Sequence, residues 1–166
     1  DLIEDPGGTI LVSVPDRGAV FALPDENQDS VAESAITVRE GLNLPHGLAL
    51  RCNTSPEKSL RDLGASCTLF IAETDRVVAY PYDPETHTAS GEGRTLAALP
   101  SRGNHSTRSL LLLSDSQTLL VSIGSSCNVC TEEDSRRASI QAINLQTGEV
   151  RPYAIGLRNS VFMASH

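Results

Sequence analysis

The chain has 166 residues, 39% of them hydrophobic and 20% charged, with no long low-complexity tract, so it is long enough to bury one core and is not disordered over most of its length. A formal charge of -8, with dispersed arginines and no basic counter-patch, argues against nucleic acid or an anionic membrane as partner and leaves neutral or cationic small ligands open. No run approaches the roughly 18 apolar residues of a spanning helix, and the opening Asp1-Leu2-Ile3-Glu4, without Met or a signal-peptide pattern, reads as a processed or excerpted chain.

The predicted elements are short strands. Thr9-Ile10-Leu11-Val12-Ser13-Val14, a turn at Asp16-Arg17-Gly18 and Ala19-Val20-Phe21-Ala22-Leu23 form a hairpin ending at Pro24-Asp25. Asp25-Glu26-Asn27-Gln28-Asp29 alternates oxygens as a calcium loop does. Ser30 nevertheless stands where that loop needs Gly, and Ile36 where it needs Glu, so a solvated turn is expected. Ala35-Ile36-Thr37-Val38 reads as an outer strand. The polar turn Gly41-Leu42-Asn43-Leu44-Pro45-His46 then enters the strand Gly47-Leu48-Ala49-Leu50.

Cys52 and Cys67 bracket a polar stretch, and a bridge between them would remove roughly 3 kcal/mol of unfolded-state freedom. Four cysteines make an even set, which with the sequons at Asn53 and Asn104 points to a secreted, extracellular protein with Asn53 as the expected glycosylation site. Reduced intracellular thiols are the alternative.

The hairpin pattern then repeats. Thr68-Leu69-Phe70-Ile71-Ala72-Glu73, the turn Thr74-Asp75-Arg76 and Val77-Val78-Ala79-Tyr80 form a second copy. Gly103-Asn104-His105 enters Ser109-Leu110-Leu111-Leu112-Leu113, and Thr118-Leu119-Leu120-Val121-Ser122-Ile123 with Ala138-Ser139-Ile140-Gln141-Ala142-Ile143-Asn144 forms a third. Between these last two strands lies the loop Ser125-Ser126-Cys127-Asn128-Val129-Cys130. Val150-Arg151-Pro152-Tyr153 is a further outer segment, and Leu157-Arg158-Asn159-Ser160 enters an expected strand Val161-Phe162-Met163-Ala164.

An entry strand, a hairpin and an outer segment, repeated, make the four-stranded antiparallel blade of a β-propeller. The fold class is therefore all-β, with residues 1–166 forming one partial propeller domain of about three blades. Propellers close with roughly four to eight blades, so the chain is expected either to be a fragment of a larger ring or to close one by self-association.

Polar residues at the starts of inner strands converge on one face of a propeller. His46, His105, Arg158 and Asn159 hold such positions. His46 alone reads as a surface or structural histidine, whereas His105 stands out because Asn104, Thr107 and Arg108 crowd its turn without a packing reason. Zinc or thiol redox at Cys127-x-x-Cys130 is disfavoured, since a structural zinc needs four ligands and Cys52 and Cys67 lack the paired spacing. A disulfide in the loop is favoured over free thiols. Glu132, Glu133 and Asp134 read as a solvated acidic face paired with Arg136 and Arg137.

Leu44-Pro45-His46-Gly47-Leu48-Ala49, Ile71-Ala72-Glu73-Thr74-Asp75-Arg76-Val77, His105-Ser106-Thr107-Arg108, Val121 to Cys130 and Gly156-Leu157-Arg158-Asn159 resemble, in this order, the pyrroloquinoline-quinone-dependent sorbosone and glucose dehydrogenases, and more narrowly the secreted fungal pyranose dehydrogenases. The resemblance implies the first part of a six-bladed propeller with pyrroloquinoline quinone and calcium over its channel. It implies oxidation of an aldose or keto-aldose at the anomeric or aldehyde carbon. His105 would be the general base, Arg158 would neutralise charge on the quinone oxygen, and Asn159 and Arg108 would bind the cofactor. The partners would be a small sugar and an electron acceptor, a cytochrome or another redox protein. Asn104 stands where the bacterial soluble glucose dehydrogenases carry Asp, so the sorbosone-type branch fits better. The other readings are a propeller segment without chemistry, serving binding or structure, and a calcium-dependent lactonase on the same architecture.

Overall fold

The structure, a computed structural model, describes residues 1–52 and 67–165; the Asn53 sequon lies outside them. The described chain is three antiparallel sheets in sequence order. The first is β1 (Leu2–Glu4), β2 (Ile10–Val14), β3 (Ala19–Leu23) and β4 (Ile36–Arg39). The second is β5 (Leu48–Cys52), β6 (Cys67–Ala72), β7 (Arg76–Asp83) and the short β8 (Thr88–Ala89), with β9 (Arg94–Ala98) also paired to β7. The third is β10 (Leu110–Leu112), β11 (Thr118–Ile123), β12 (Ser139–Asn144) and β13 (Val150–Ile155). These are the blades of a partial β-propeller, and the same defect marks each one. The ladder between third and outer strand shifts register at Val20/Phe21, Val77/Val78 and Ile140/Gln141. A bulge there adds twist to the outer edge of each blade.

The sheets stack through their faces, and strand alternation decides which side chain goes where. From the second sheet, Leu48, Leu69, Ile71, Val78 and Tyr80 pack toward the first, joining Leu11, Val20 and Ala22. The intervening Ala49, Phe70, Ala72, Val77 and Ala79 pack toward the third, joining Leu119, Val121, Ile123 and Ile143. A strand between two sheets has no solvent face, which is why every residue of β6 is buried while most of β13 is exposed.

The hairpins run close to the expected limits, with several differences. The turn before β3 is a single 3-10 turn, Pro15–Arg17, closed by Gly18 in the left-handed region at φ 58°. β7 continues through Pro81, at the place where its outer partner changes from β9 to β8 and a missing N–H is tolerated. β1 and β9 carry too few alternating apolar residues to announce themselves and exist because a neighbour offers a free edge. Conversely, residues 161–164 form no strand among the described residues.

A buried polar cluster joins the first two sheets. Asp5, 4% exposed, accepts hydrogen bonds from the backbone N–H of Gly7 and Thr9, and from the Tyr82 hydroxyl at 2.9 Å. His87 Nδ1 stands 3.3 Å from the same carboxylate. In the second sheet, the fully buried Glu73 accepts from Asn43 N–H and from the Arg76 guanidinium at 2.8 Å, fixing the turn before β5 against the end of β6.

Candidate functional site

The entry turns of successive sheets meet along one rim. Ser13, in β2, donates its hydroxyl to the His46 carbonyl at 2.6 Å. His46 in turn donates its backbone N–H to Ala72 O at 2.9 Å, holding the start of β5 beside the end of β6. His46 Nδ1 lies 3.3 Å from the Arg108 carbonyl of the next sheet. Gly47 presses against the Arg108 to Leu110 backbone so closely that a Cβ would overlap it. Ser109 then donates its hydroxyl to the Val161 carbonyl. Below this polar rim, the inner strands β1, β5 and β10 line an apolar groove of about 350 Å³, with Leu48, Leu110 and Leu112 in its wall and Met163 closing one side.

His105, Ser125, Arg158 and Asn159 come together at the third sheet's part of the rim. His105 Nδ1 lies 2.8 Å from the Ser125 carbonyl and 3.0 Å from its hydroxyl, which itself donates to Cys127 O at 2.6 Å. A carbonyl only accepts, so in the neutral ring the proton sits on Nδ1 and Nε2 keeps its lone pair. The Ser125 N–H donates to the Arg158 carbonyl at 2.8 Å, which places Arg158 and Asn159 beside the histidine. Gly124 permits the approach: a Cβ there would lie 2.5 Å from His105 Cβ and 2.7 Å from Asn159 Oδ1. The Arg158 side chain is exposed, with one long contact to the Asn128 amide oxygen at 3.4 Å.

Arg108 stands behind this cluster. Its side chain is fully buried and donates to the carbonyls of His105 at 2.9 Å, Thr107 at 2.8 Å and Pro100 at 2.7 Å. The guanidinium thus braces the His105 turn from behind. Burial, then the nearby Arg137 charge, push it down to about 10, and it remains a cation at neutral pH.

Arg137, expected to pair with the acidic run, is instead buried. From the turn ahead of β12 it donates to the Gly124 and Pro100 carbonyls at 3.2 and 3.0 Å. Arg136 does pair with Asp134, at 2.6 Å, and holds that carboxyl down at about 2. Glu132 is half-buried and accepts from Ser126 N–H at 2.8 Å, so it organises the cysteine loop.

Disulfides join Cys52 to Cys67 and Cys127 to Cys130. The first pair sits directly opposite in the β5–β6 ladder, and the second closes the exposed tip of the loop that carries Ser125. Asp25, Asp29 and Glu33 bring one carboxylate oxygen each within 4.8 Å of one another on an exposed loop. These carboxylates already accept from the loop's own N–H groups, at Glu26, Asp29 and Ser30. The carboxylate that returns to the loop is Glu33, and Ile36 begins β4.

Residue type does not single out Gly124 or Ser125, and it offers Arg137 only as a partner of the acidic run. Their one signal is position, since two follow β11 directly and the third precedes β12.

Three consecutive blades with a polar rim at the inner-strand starts define a segment of a β-propeller, with the fold of the pyrroloquinoline-quinone-dependent sugar dehydrogenases. The chain belongs to the TrAA12-like family, which it matches over residues 1–166. It is similar to the holo form of the pyranose dehydrogenase PQQ domain from Coprinopsis cinerea, with a TM-score of 0.68 and 22% identity over 89% of this chain and 33% of that one. It is also similar to the calcium structure of the Trichoderma reesei carbohydrate-active enzyme of family AA12, at 0.66 and 27% over 89% and 35%. A third neighbour is the PQQ-bound aldose sugar dehydrogenase from Streptomyces coelicolor, at 0.55 and 18% over 86% and 43%. The chain spans about a third of the length of the first two and less than half of the last. No curated protein matches it.

Proposed function

We propose that residues 1–166 are a partial propeller domain of a secreted, pyrroloquinoline-quinone-dependent oxidoreductase that acts on an aldose or keto-aldose at its anomeric or aldehyde carbon. The observation that carries this reading is the His105–Ser125 pairing, which leaves Nε2 of a neutral imidazole as a base on the propeller rim. Family membership and the quinone-binding neighbours support the chemical class.

The donor set fits the quinone. Arg158 offers an exposed guanidinium and Asn159 an amide, both suited to a carboxylated, electron-accepting ring. Arg108 is spent on three carbonyls, so we assign it to holding the His105 turn instead of to a cofactor carboxylate. Calcium does not fit this cluster, which presents imidazole and guanidinium nitrogens where a hard cation needs several oxygens. The same donor set disfavours a calcium-dependent lactonase.

Bound quinone would supply the acceptor for the hydride that leaves the sugar carbon as its hydroxyl loses a proton. In the complete propeller, His105 Nε2 takes the proton of the reacting sugar hydroxyl while the Ser125 carbonyl steadies the imidazolium that forms through Nδ1–H. Arg158 stabilises the negative charge that develops beside it. The Asn159 amide would hydrogen-bond the bound quinone. The electron acceptor of the complete protein would be a cytochrome or another redox protein.

The test is titration of the complete propeller with pyrroloquinoline quinone, followed by sugar-dependent dye reduction. His105→Ala is expected to remove turnover while the quinone absorbance stays bound. Unchanged turnover would refute the base, and no quinone binding would refute the class.

A further inference from the structure

We propose that His46 is a second sugar-contacting imidazole, an Nε2 acceptor that takes a hydrogen bond from a substrate hydroxyl other than the one at the reacting carbon. This rests on the reading of the rim as a sugar site. A single buried residue sets both rings: the Arg108 carbonyl lies 3.3 Å from His46 Nδ1, and the Arg108 guanidinium grips the His105 carbonyl at 2.9 Å. His46 and His105 therefore share one arrangement. Each stands just before an inner strand, and each directs Nδ1 at a backbone carbonyl. In each, the neutral ring must then carry its proton on Nδ1 and present Nε2 as a lone-pair acceptor. Among the described residues, neither Nε2 has a hydrogen-bond partner.

The His46 backbone is pinned on both sides, by Ala72 O and by the Ser13 hydroxyl, so its ring position is set before any ligand arrives. Burial favours the uncharged ring, which is the form that accepts; the Arg108 guanidinium acts in the same direction, and the hydrogen bond to the Arg108 carbonyl opposes them. Gly47 presses this turn onto the Arg108 to Leu110 backbone, so the two acceptors belong to adjacent entry turns of one rim. A polyhydroxylated ring offers hydroxyls on successive carbons. One acceptor at the reacting hydroxyl and a second on the neighbouring strand fix both position and orientation, so His46 should govern which sugar is bound and His105 the chemistry.

The experiment is steady-state kinetics of the complete, quinone-loaded propeller with a parent sugar and its series of single deoxy analogues. His46→Ala is expected to raise KM about tenfold with kcat changed less than about threefold, as for loss of one binding hydrogen bond. One deoxy analogue should show no difference between wild type and variant. His46→Gln, which keeps an acceptor, should recover part of the loss. An equal KM rise for every analogue would mean a structural role and overturn the proposal, as would an unchanged KM. If His105→Ala still removes turnover in that case, the site reading stands alone; if neither variant changes turnover, both fall. A long-range proton–nitrogen spectrum of the 166-residue chain checks the tautomer directly, and a His46 proton found on Nε2 in the neutral ring would overturn the proposal.

Discussion

His105 Nδ1 and the Ser125 carbonyl oxygen lie 2.8 Å apart across twenty residues of chain. That contact fixes the imidazole's tautomer and ties the His105 turn to the cysteine loop. It exists because Gly124, the last residue before Ser125, has no side chain to keep the His105 turn away.

Gly124→Ala should therefore displace His105. The added methyl meets His105 Cβ at 2.5 Å and Asn159 Oδ1 at 2.7 Å, neither at the end of a long flexible side chain, so a loss of about 1–3 kcal/mol is expected. Chemical denaturation measures the loss, and the His105 ring resonances should shift in the folded variant. A variant with unchanged stability and an unmoved ring would contradict this packing.

The two disulfides should differ in worth. Cys52–Cys67 closes a separation of 15 residues and Cys127–Cys130 one of 3. Loop entropy then predicts about 3 kcal/mol for removing the first and about 2 kcal/mol for the second. Paired cysteine-to-alanine variants compared in guanidinium give both numbers. The short bridge should also matter locally: without it, the Ser125 hydroxyl loses a fixed Cys127 carbonyl, and hydrogen exchange at residues 124–127 should rise.

The Asp5–Tyr82 contact should stabilise the joint between the first two blades. Tyr82→Phe removes one donor from a carboxylate that keeps its two backbone partners, so a loss of about 1–2 kcal/mol is expected. Asp5→Ala should cost more, about 3 kcal/mol, because it leaves the buried Tyr82 hydroxyl and two loop N–H groups without their acceptor. Equal losses in urea unfolding would show that the hydroxyl carries the whole effect.

His46 gives stability a pH dependence with a definite sign. Burial lowers its pKa below the ordinary 6.5, so between the two values the unfolded chain binds more protons than the folded one. The contribution is fully present above pH 6.5 and is lost as pH falls through the folded value. Urea midpoints at a series of pH values should decline in that window for the wild type, and His46→Gln should decline less. An identical decline in the two proteins would assign the effect elsewhere.

The hairpins were legible because period-two alternation is local: Ile10–Val14 with Ala19–Leu23, and Thr118–Ile123 with Ser139–Asn144, carry it in their own residues. The entry-turn residues were legible for the same reason, as polar side chains just ahead of apolar strands. β1 and β9 were not, since a short strand is made by the edge it joins. Residues 161–164 have a strand's composition but pair with no described strand.

By itself, then, the sequence determined an all-β chain of repeated hairpins and placed His105 in a turn ahead of an inner strand, whereas Arg158 and Asn159 precede a stretch that forms no strand among the described residues. Tertiary structure alone decided that Ser125 holds His105, that Arg108 and Arg137 turn inward onto the carbonyls of Pro100 and Gly124, and that Arg136 keeps Asp134. Alternation is written into neighbouring residues, whereas an arginine's partner is whichever unsatisfied carbonyl the packed sheets leave within its reach.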